Sequence, residues 1–201
     1  IAPENVIALP HAFDDRKLMA FAEMIAAQDV LLRWNKADVA EQRITFFTPA
    51  RQDWTNPNPG YVKNNDRIFH ALRIIKDEGR RPLLRAIAWG SDVGASKVLI
   101  RDLGIEDMVE WVPTMKKKAL WQEYLRSHAV VDQFSSPALG GVSFETMVLG
   151  RRLISHLDRA MNRRFFGQEP PILYAETAED IAAAMRKVMA DPQDNQGDGL
   201  A

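Results

Sequence analysis

The stretch Val131–Ser155, VDQFSSPALGGVSFETMVLGRRLIS, gathers the residue types best able to hold a ligand. It reads as a strand, a loop of small residues, a short helix and a second strand. Gly140 and Gly141 stand directly before the helix. A glycine pair in that place lets backbone N–H groups approach an anion, and the positive end of the helix dipole favours negative charge there. Glu145 follows in the first turns of the same helix. A carboxylate cannot serve a phosphate, but it accepts two hydrogen bonds from vicinal hydroxyls, as on a ribose. Its other reading is a helix-start carboxylate that complements the dipole.

Short β-rich runs alternate with helical stretches along the chain. Strands are expected at Asn5–Leu9, Ile44–Thr48, Leu83–Trp89, Met108–Val112, Ala129–Phe134, Leu153–His156 and Ile172–Ala175. Helices are expected at Arg16–Gln28, Val62–Glu78, Ala95–Leu103, Met115–Arg126 and Val142–Leu149. A last helix runs from a Thr177 cap to Ala190, with Asp180 as its capping-box partner. Residues 1–192 form one domain, of which 1–43 is a crossing segment plus the first helix, and 193–201 are a polar tail. Such alternation implies right-handed crossovers and a parallel sheet covered on both faces, a Rossmann-like α/β architecture in three layers. Ligands of such sheets bind at the carboxyl ends of the strands. The turns after Thr48, Trp89, Val112 and Phe134 therefore form the functional edge.

Bulk properties narrow the function. With 201 residues, 46% of them hydrophobic, the chain has ample material for a core. A net charge of −1 gives no global basic field for nucleic acid. The absence of cysteine excludes disulfides, thiol nucleophiles and thiolate metal sites, and fits a cytoplasmic protein. No apolar run approaches the roughly 18 residues that span a bilayer. The start at Ile1, without methionine, reads as a fragment of a longer protein.

The motifs resemble family 4 of the GT-B glycosyltransferases (glycosyl transferases group 1), specifically the C-terminal domain. That family has a strand, a glutamate, a glycine-containing loop, and a second glutamate eight positions later opening "EAMAxGxPVI". Here Glu145, Met147, Gly150 and Ile154 match, and Gly140 matches the loop glycine. Pro137 stands where the first glutamate is usual, and Arg152 where proline is usual. The family also carries an arginine just past a strand and then "KGxD" opening a helix. Arg51 and Lys63 match, with Asn64 in the glycine's place and a longer gap between the two cations. Gly90, in Trp89-Gly90-Ser91-Asp92, resembles the first glycine of a "G-x-G" turn. Leu103-Gly104 and Val109-Glu110-Trp111 resemble the segment whose backbone faces the base, and Asn5–Asp14 resembles the crossing from the N-terminal lobe.

The resemblance implies a retaining transferase that binds a nucleoside diphosphate sugar, with a separate N-terminal lobe for an unidentified acceptor. It assigns the ribose to Glu145 and the diphosphate to Arg51 and Lys63, which would stabilise the leaving nucleotide as its charge grows. Gly90, Gly140 and Gly141 complete the expected donor site. The family's first glutamate contacts the donor sugar, and that role has no carrier here. No metal or other cofactor is expected, and no catalytic residue is assigned. The placement is cytoplasmic, with or without contact to the inner face of a membrane, and the domain alone is expected to be inactive. Alternatives are a non-catalytic nucleotide-sugar-binding homologue and an unrelated flavodoxin-like module.

Other features read as structural. Lys116-Lys117-Lys118 reads as a solvated face, and the four histidines lack metal-like spacing. Phe165-Phe166 reads as core, and the tryptophans as core first, although Trp54 in its polar loop is placed to stack on a ligand ring.

Overall fold

The computed structural model describes residues 16–28, 43–58, 62–136 and 138–192, apart from the side chains of residues 25–28, 165 and 166. The expected strand at Asn5–Leu9, Pro137 and the 193–201 tail lie outside the described residues.

The elements are α1 (Arg16–Gln28), β1 (Thr45–Thr48), α2 (Asp66–Asp77), β2 (Leu83–Ile87), α3 (Val93–Asp102), β3 (Val109–Val112) and α4 (Lys117–Arg126). They continue as β4 (Ala129–Val131), α5 (Gly141–Val148), β5 (Arg152–Ser155), α6 (Arg159–Phe166), β6 (Leu173–Tyr174) and α7 (Ala178–Ala190). Among the described residues the sheet has six strands in the order β3-β2-β1-β4-β5-β6, and their pairings are all parallel.

Alternation along each strand divides the core in two. Phe46, Leu84, Ala129, Val131 and Ile154 face α2, α3 and α7. Their neighbours Phe47, Val130 and Leu153 face α1, α4 and α5. The central strands β1, β4 and β5 are thus buried on both faces, as the inner strands of a parallel sheet must be. The three-layer parallel architecture expected from the sequence is the one observed. Thr177 caps α7 by accepting from the Asp180 N–H at 3.1 Å, and Asp180 answers at the Thr177 N–H at 3.0 Å.

Several boundaries differ from expectation, each for a local reason. The helix expected from Val62 begins at Asp66, because Asn64 takes a left-handed backbone, φ 53°. The strand expected through Trp89 stops at Ile87, where the Trp89 N–H turns back to the Ile87 carbonyl at 2.9 Å. The strand expected through Phe134 stops at Val131. Past it, the Phe134 N–H leaves the sheet for the Lys63 carbonyl at 3.0 Å. α6 was not expected, yet its signals are plain: Asp158 accepts from the Met161 N–H, and Gly167 ends the helix at φ 72°.

Candidate functional site

The chain leaves adjacent strands in opposite directions at one place in the sheet. After β1 it passes to α2 on one face, whereas after β4 it passes to α5 on the other. The loops part there and open a crevice at the carboxyl edge. A cleft of about 420 Å³ lies in that position, within the range of small-molecule sites. Pro49, Ala50 and Arg51 line it after β1, Trp89 after β2, Asp132, Gln133 and Ser136 after β4, and Gly140 to Val142 at the start of α5. Lys63 enters from the turn before α2.

Of the residues singled out from the sequence, Arg51, Lys63, Gly140 and Gly141 are brought together here, while Gly90 and Glu145 lie outside the lining. Lys63 is held by its backbone. Its N–H donates to the Asp53 carbonyl at 2.5 Å, and its carbonyl accepts from Phe134. Asn64, in the left-handed region that asparagine tolerates, supplies the turn for which the resembling family uses glycine. Its side chain donates to the Phe134 carbonyl at 3.3 Å, tying the exit of β4 to the start of α2. The Arg51 Nε pairs with Asp53, whose other oxygen accepts from the Ser91 N–H and hydroxyl at 2.9 and 2.7 Å.

The glycines divide by cause. Gly90 sits at φ 107°, and a Cβ there would lie 2.5 Å from the Gln52 carbonyl oxygen and 2.6 Å from its nitrogen. The fold alone demands glycine at that point. Gly140 and Gly141 have no such constraint: a Cβ on either would meet nothing within 4 Å. Both border the cleft instead.

Glu145 is 2% exposed in the second turn of α5. Its carboxylate is bonded by Lys117 and, at 3.4 Å, by the Tyr124 hydroxyl. Burial and the nearby Glu145 charge push the Tyr124 hydroxyl far above its ordinary pKa, so it keeps the proton it donates to Glu145. Lys117 belongs to the lysine run read as a solvated face. Its side chain is 61% exposed even though its ammonium group holds a buried carboxylate. Trp54, read as core first with stacking as its second role, donates its ring N–H to Ser96 at 2.9 Å. Among the described tryptophans, the one that lines the cleft is Trp89.

Asp132 was missed from the sequence. It follows β4 directly, is 4% exposed, and accepts from the Ser143 hydroxyl at 3.1 Å. Burial raises its pKa to about 6, and the Glu145 charge adds to the rise, against the Ser143 hydrogen bond and the Lys63 charge. The available signal was a carboxylate placed immediately after an apolar strand, at the edge where ligands bind. Among the described residues, no helix is long and apolar enough to cross a membrane.

No family model matches the chain, and no curated protein does. Solved structures do. The glycosyltransferase WaaG of lipopolysaccharide biosynthesis superposes with a TM-score of 0.59 at 15% identity, over 94% of this chain and 49% of WaaG. The C-terminal domain of the group 1 glycosyl transferase LpcC from Francisella tularensis gives 0.54 at 12% identity, over 77% of this chain and 81% of that domain. The fold is that of a GT-B C-terminal domain. The UDP-GlcNAc 2-epimerase from Neisseria meningitidis, solved with UDP-GlcNAc, shares this GT-B half at 0.53 and 11% identity, over 89% of this chain and 45% of the epimerase. The chain thus spans about half the length of WaaG and of the epimerase.

Proposed function

We propose that this domain binds a nucleoside diphosphate sugar as the donor half of a retaining glycosyltransferase. One observation carries the reading: Arg51, Lys63 and the amino end of α5 converge on a cleft at the β1–β4 crossover. Two cations, a helix N-terminus and two unconstrained glycines suit a diphosphate. Lys63 meets the phosphate directly, and Arg51 joins it by turning from Asp53. The α5 backbone N–H groups take the remaining oxygens. As the glycosidic bond breaks, charge builds on the leaving phosphate, and these preorganised donors stabilise it. Glu145 accepts from the ribose hydroxyls once Lys117, on its exposed arm, swings aside. The acceptor and any group at the anomeric carbon belong to a second lobe, so residues 1–201 alone transfer no sugar.

The test is calorimetric titration of the chain with UDP-, GDP- and ADP-sugars. One of them is expected to bind, and Glu145→Gln is expected to weaken it roughly ten- to a hundredfold, as for a lost charged hydrogen bond. A 2′-deoxy analogue is expected to lose less on the same substitution. An unchanged ribose preference in Glu145→Gln would remove Glu145 from the site.

A second reading rests on the epimerase of nearly equal structural similarity. A nucleotide-sugar epimerase domain would use the same cleft to hold its substrate. Product analysis with the two lobes together separates the readings: a transferase yields a glycosylated acceptor, an epimerase an isomeric sugar nucleotide.

A further inference from the structure

Cations and helix amides account for the charged part of a nucleotide, and the Leu103-Gly104 and Val109–Trp111 segments that the resemblance assigns to the base do not line the cleft. Among the described residues, four large hydrophobic side chains are exposed: Met19, Met24, Trp89 and Val98. Of these, Trp89 lines the cleft, and it is 43% exposed.

An exposed indole is ordinarily mobile at its surface, but this one is fixed. Its ring N–H donates to the Pro49 carbonyl at 3.0 Å. Its backbone carbonyl accepts from the Gln52 N–H at 2.9 Å, and its own N–H bonds to Ile87. The next residue, Gly90, is locked against the Gln52 backbone at φ 107°. The fold therefore consumes the polar edge of the ring and holds the ring in place while leaving apolar area open. A rigid, bare aromatic surface beside a phosphate-binding groove is preorganised for a planar ligand and loses little entropy on binding.

We propose that the base of the nucleotide stacks on Trp89. This inference rests on the reading of the cleft as a nucleoside diphosphate site, and it adds a second anchor: phosphates at Arg51, Lys63 and α5, base at the indole. Stacking tolerates any base, because every base has a π-face. Trp89 would thus supply affinity without choosing among uracil, guanine and adenine.

The experiment is titration of the wild-type chain, Trp89→Ala and Trp89→Phe with UDP, GDP, ADP, UDP-GlcNAc and inorganic pyrophosphate. Trp89→Ala is expected to weaken every nucleotide that the wild type binds by about five- to a hundredfold, from the usual worth of base stacking. Pyrophosphate, which has no base, is expected to bind both proteins equally. Trp89→Phe keeps an aromatic face and loses the tether to Pro49, so it is expected to stay within a few-fold of wild type. Three results overturn the proposal. Equal loss for pyrophosphate makes Trp89 a support of the loop. A Phe variant as weak as the Ala variant makes the Pro49 hydrogen bond, not the ring face, the relevant feature. A loss confined to UDP-GlcNAc, with UDP unchanged, puts the sugar on the ring. A wild-type chain that binds none of the five compounds defeats the reading of the cleft, and this inference with it.

Discussion

His128 and Asp132 bracket the same strand, β4, and both are buried. At the amino end, His128 accepts the Thr45 N–H at 3.0 Å through Nδ1, and so closes the edge between β1 and β4. Burial, aided by the charges of Arg151 and Arg152, lowers its pKa to about 4. At the carboxyl end, Asp132 borders a cleft, and burial raises its pKa to about 6. One edge of the sheet spends its polar groups on holding the strands together. The other places Asp132, Gln133 and Ser136 on the lining of a cleft. A buried ionisable group is thus a candidate for function where it also borders a cleft.

The largest expected effect probes closed against open positions within the carboxyl edge itself. Gly90→Ala would force a Cβ into the Gln52 backbone at a left-handed position, costing roughly 2–6 kcal/mol in strain and overlap. Gly141→Ala adds a methyl to open space in a helix and is expected to leave stability unchanged or raise it by about 0.5–1 kcal/mol, while weakening donor binding. Denaturant melts of both variants test this. Comparable destabilisation by the two would erase the distinction.

The next prediction separates the two ends of β4 by pH. His128 is kept neutral by the fold, so its contribution is complete above about pH 6.5 and is lost as pH falls toward 4. The fold favours protonated Asp132, so its contribution is complete below about pH 3.9 and is lost as pH rises toward 6. The two slopes oppose each other between pH 4 and 6, each reaching at most about 1.4 kcal/mol per pH unit. Relative to wild type, Asp132→Asn should therefore lose stability as pH falls through that window, and His128→Gln should gain it. Urea unfolding at pH 4, 5, 6 and 7 gives the difference profiles. Parallel profiles for the two variants would contradict the opposite burial effects.

The smallest effect concerns Lys63 on the open side. Lys63→Ala should weaken a nucleoside diphosphate by roughly 1.5–3 kcal/mol and the bare nucleoside by much less. Titration with UDP and uridine, or the pair for whichever base binds, measures the difference. Equal losses would take Lys63 off the phosphate.

The fold was legible because the inner strands β1 and β4 are buried on both faces, and Thr45–Thr48, Leu83–Ile87 and Ala129–Val131 stand out as β-rich runs between helical periods. Their ends were less legible, since they depend on distant partners: Phe134 leaves the sheet for Lys63, 71 residues before it in sequence. α6 was overlooked because it is only eight residues long, too short for a helical period to repeat, despite a cap at each end. At the site, Arg51, Lys63, Gly140 and Gly141 were found through motif order, and the fold gathers them. Asp132 was not, because the strand was expected to run on to Phe134, which hid the carboxylate's place directly after β4. The pairing of Lys117 with Glu145 was hidden because it joins α4 to α5 across the fold.

That pairing has a consequence for affinity. Lys117 occupies the carboxylate of Glu145 in the empty protein. On the proposed role of Glu145, binding of a ribose would be a displacement rather than an addition. The hydroxyls would replace a charged partner, and the net gain would be the difference between the two sets of contacts. Part of that loss would be returned as the long lysine arm regains its rotational freedom in water. A sugar that presents one hydroxyl instead of two would repay less of the exchange and bind more weakly. The resident side chain would then make the site more selective than its own contacts with the ligand.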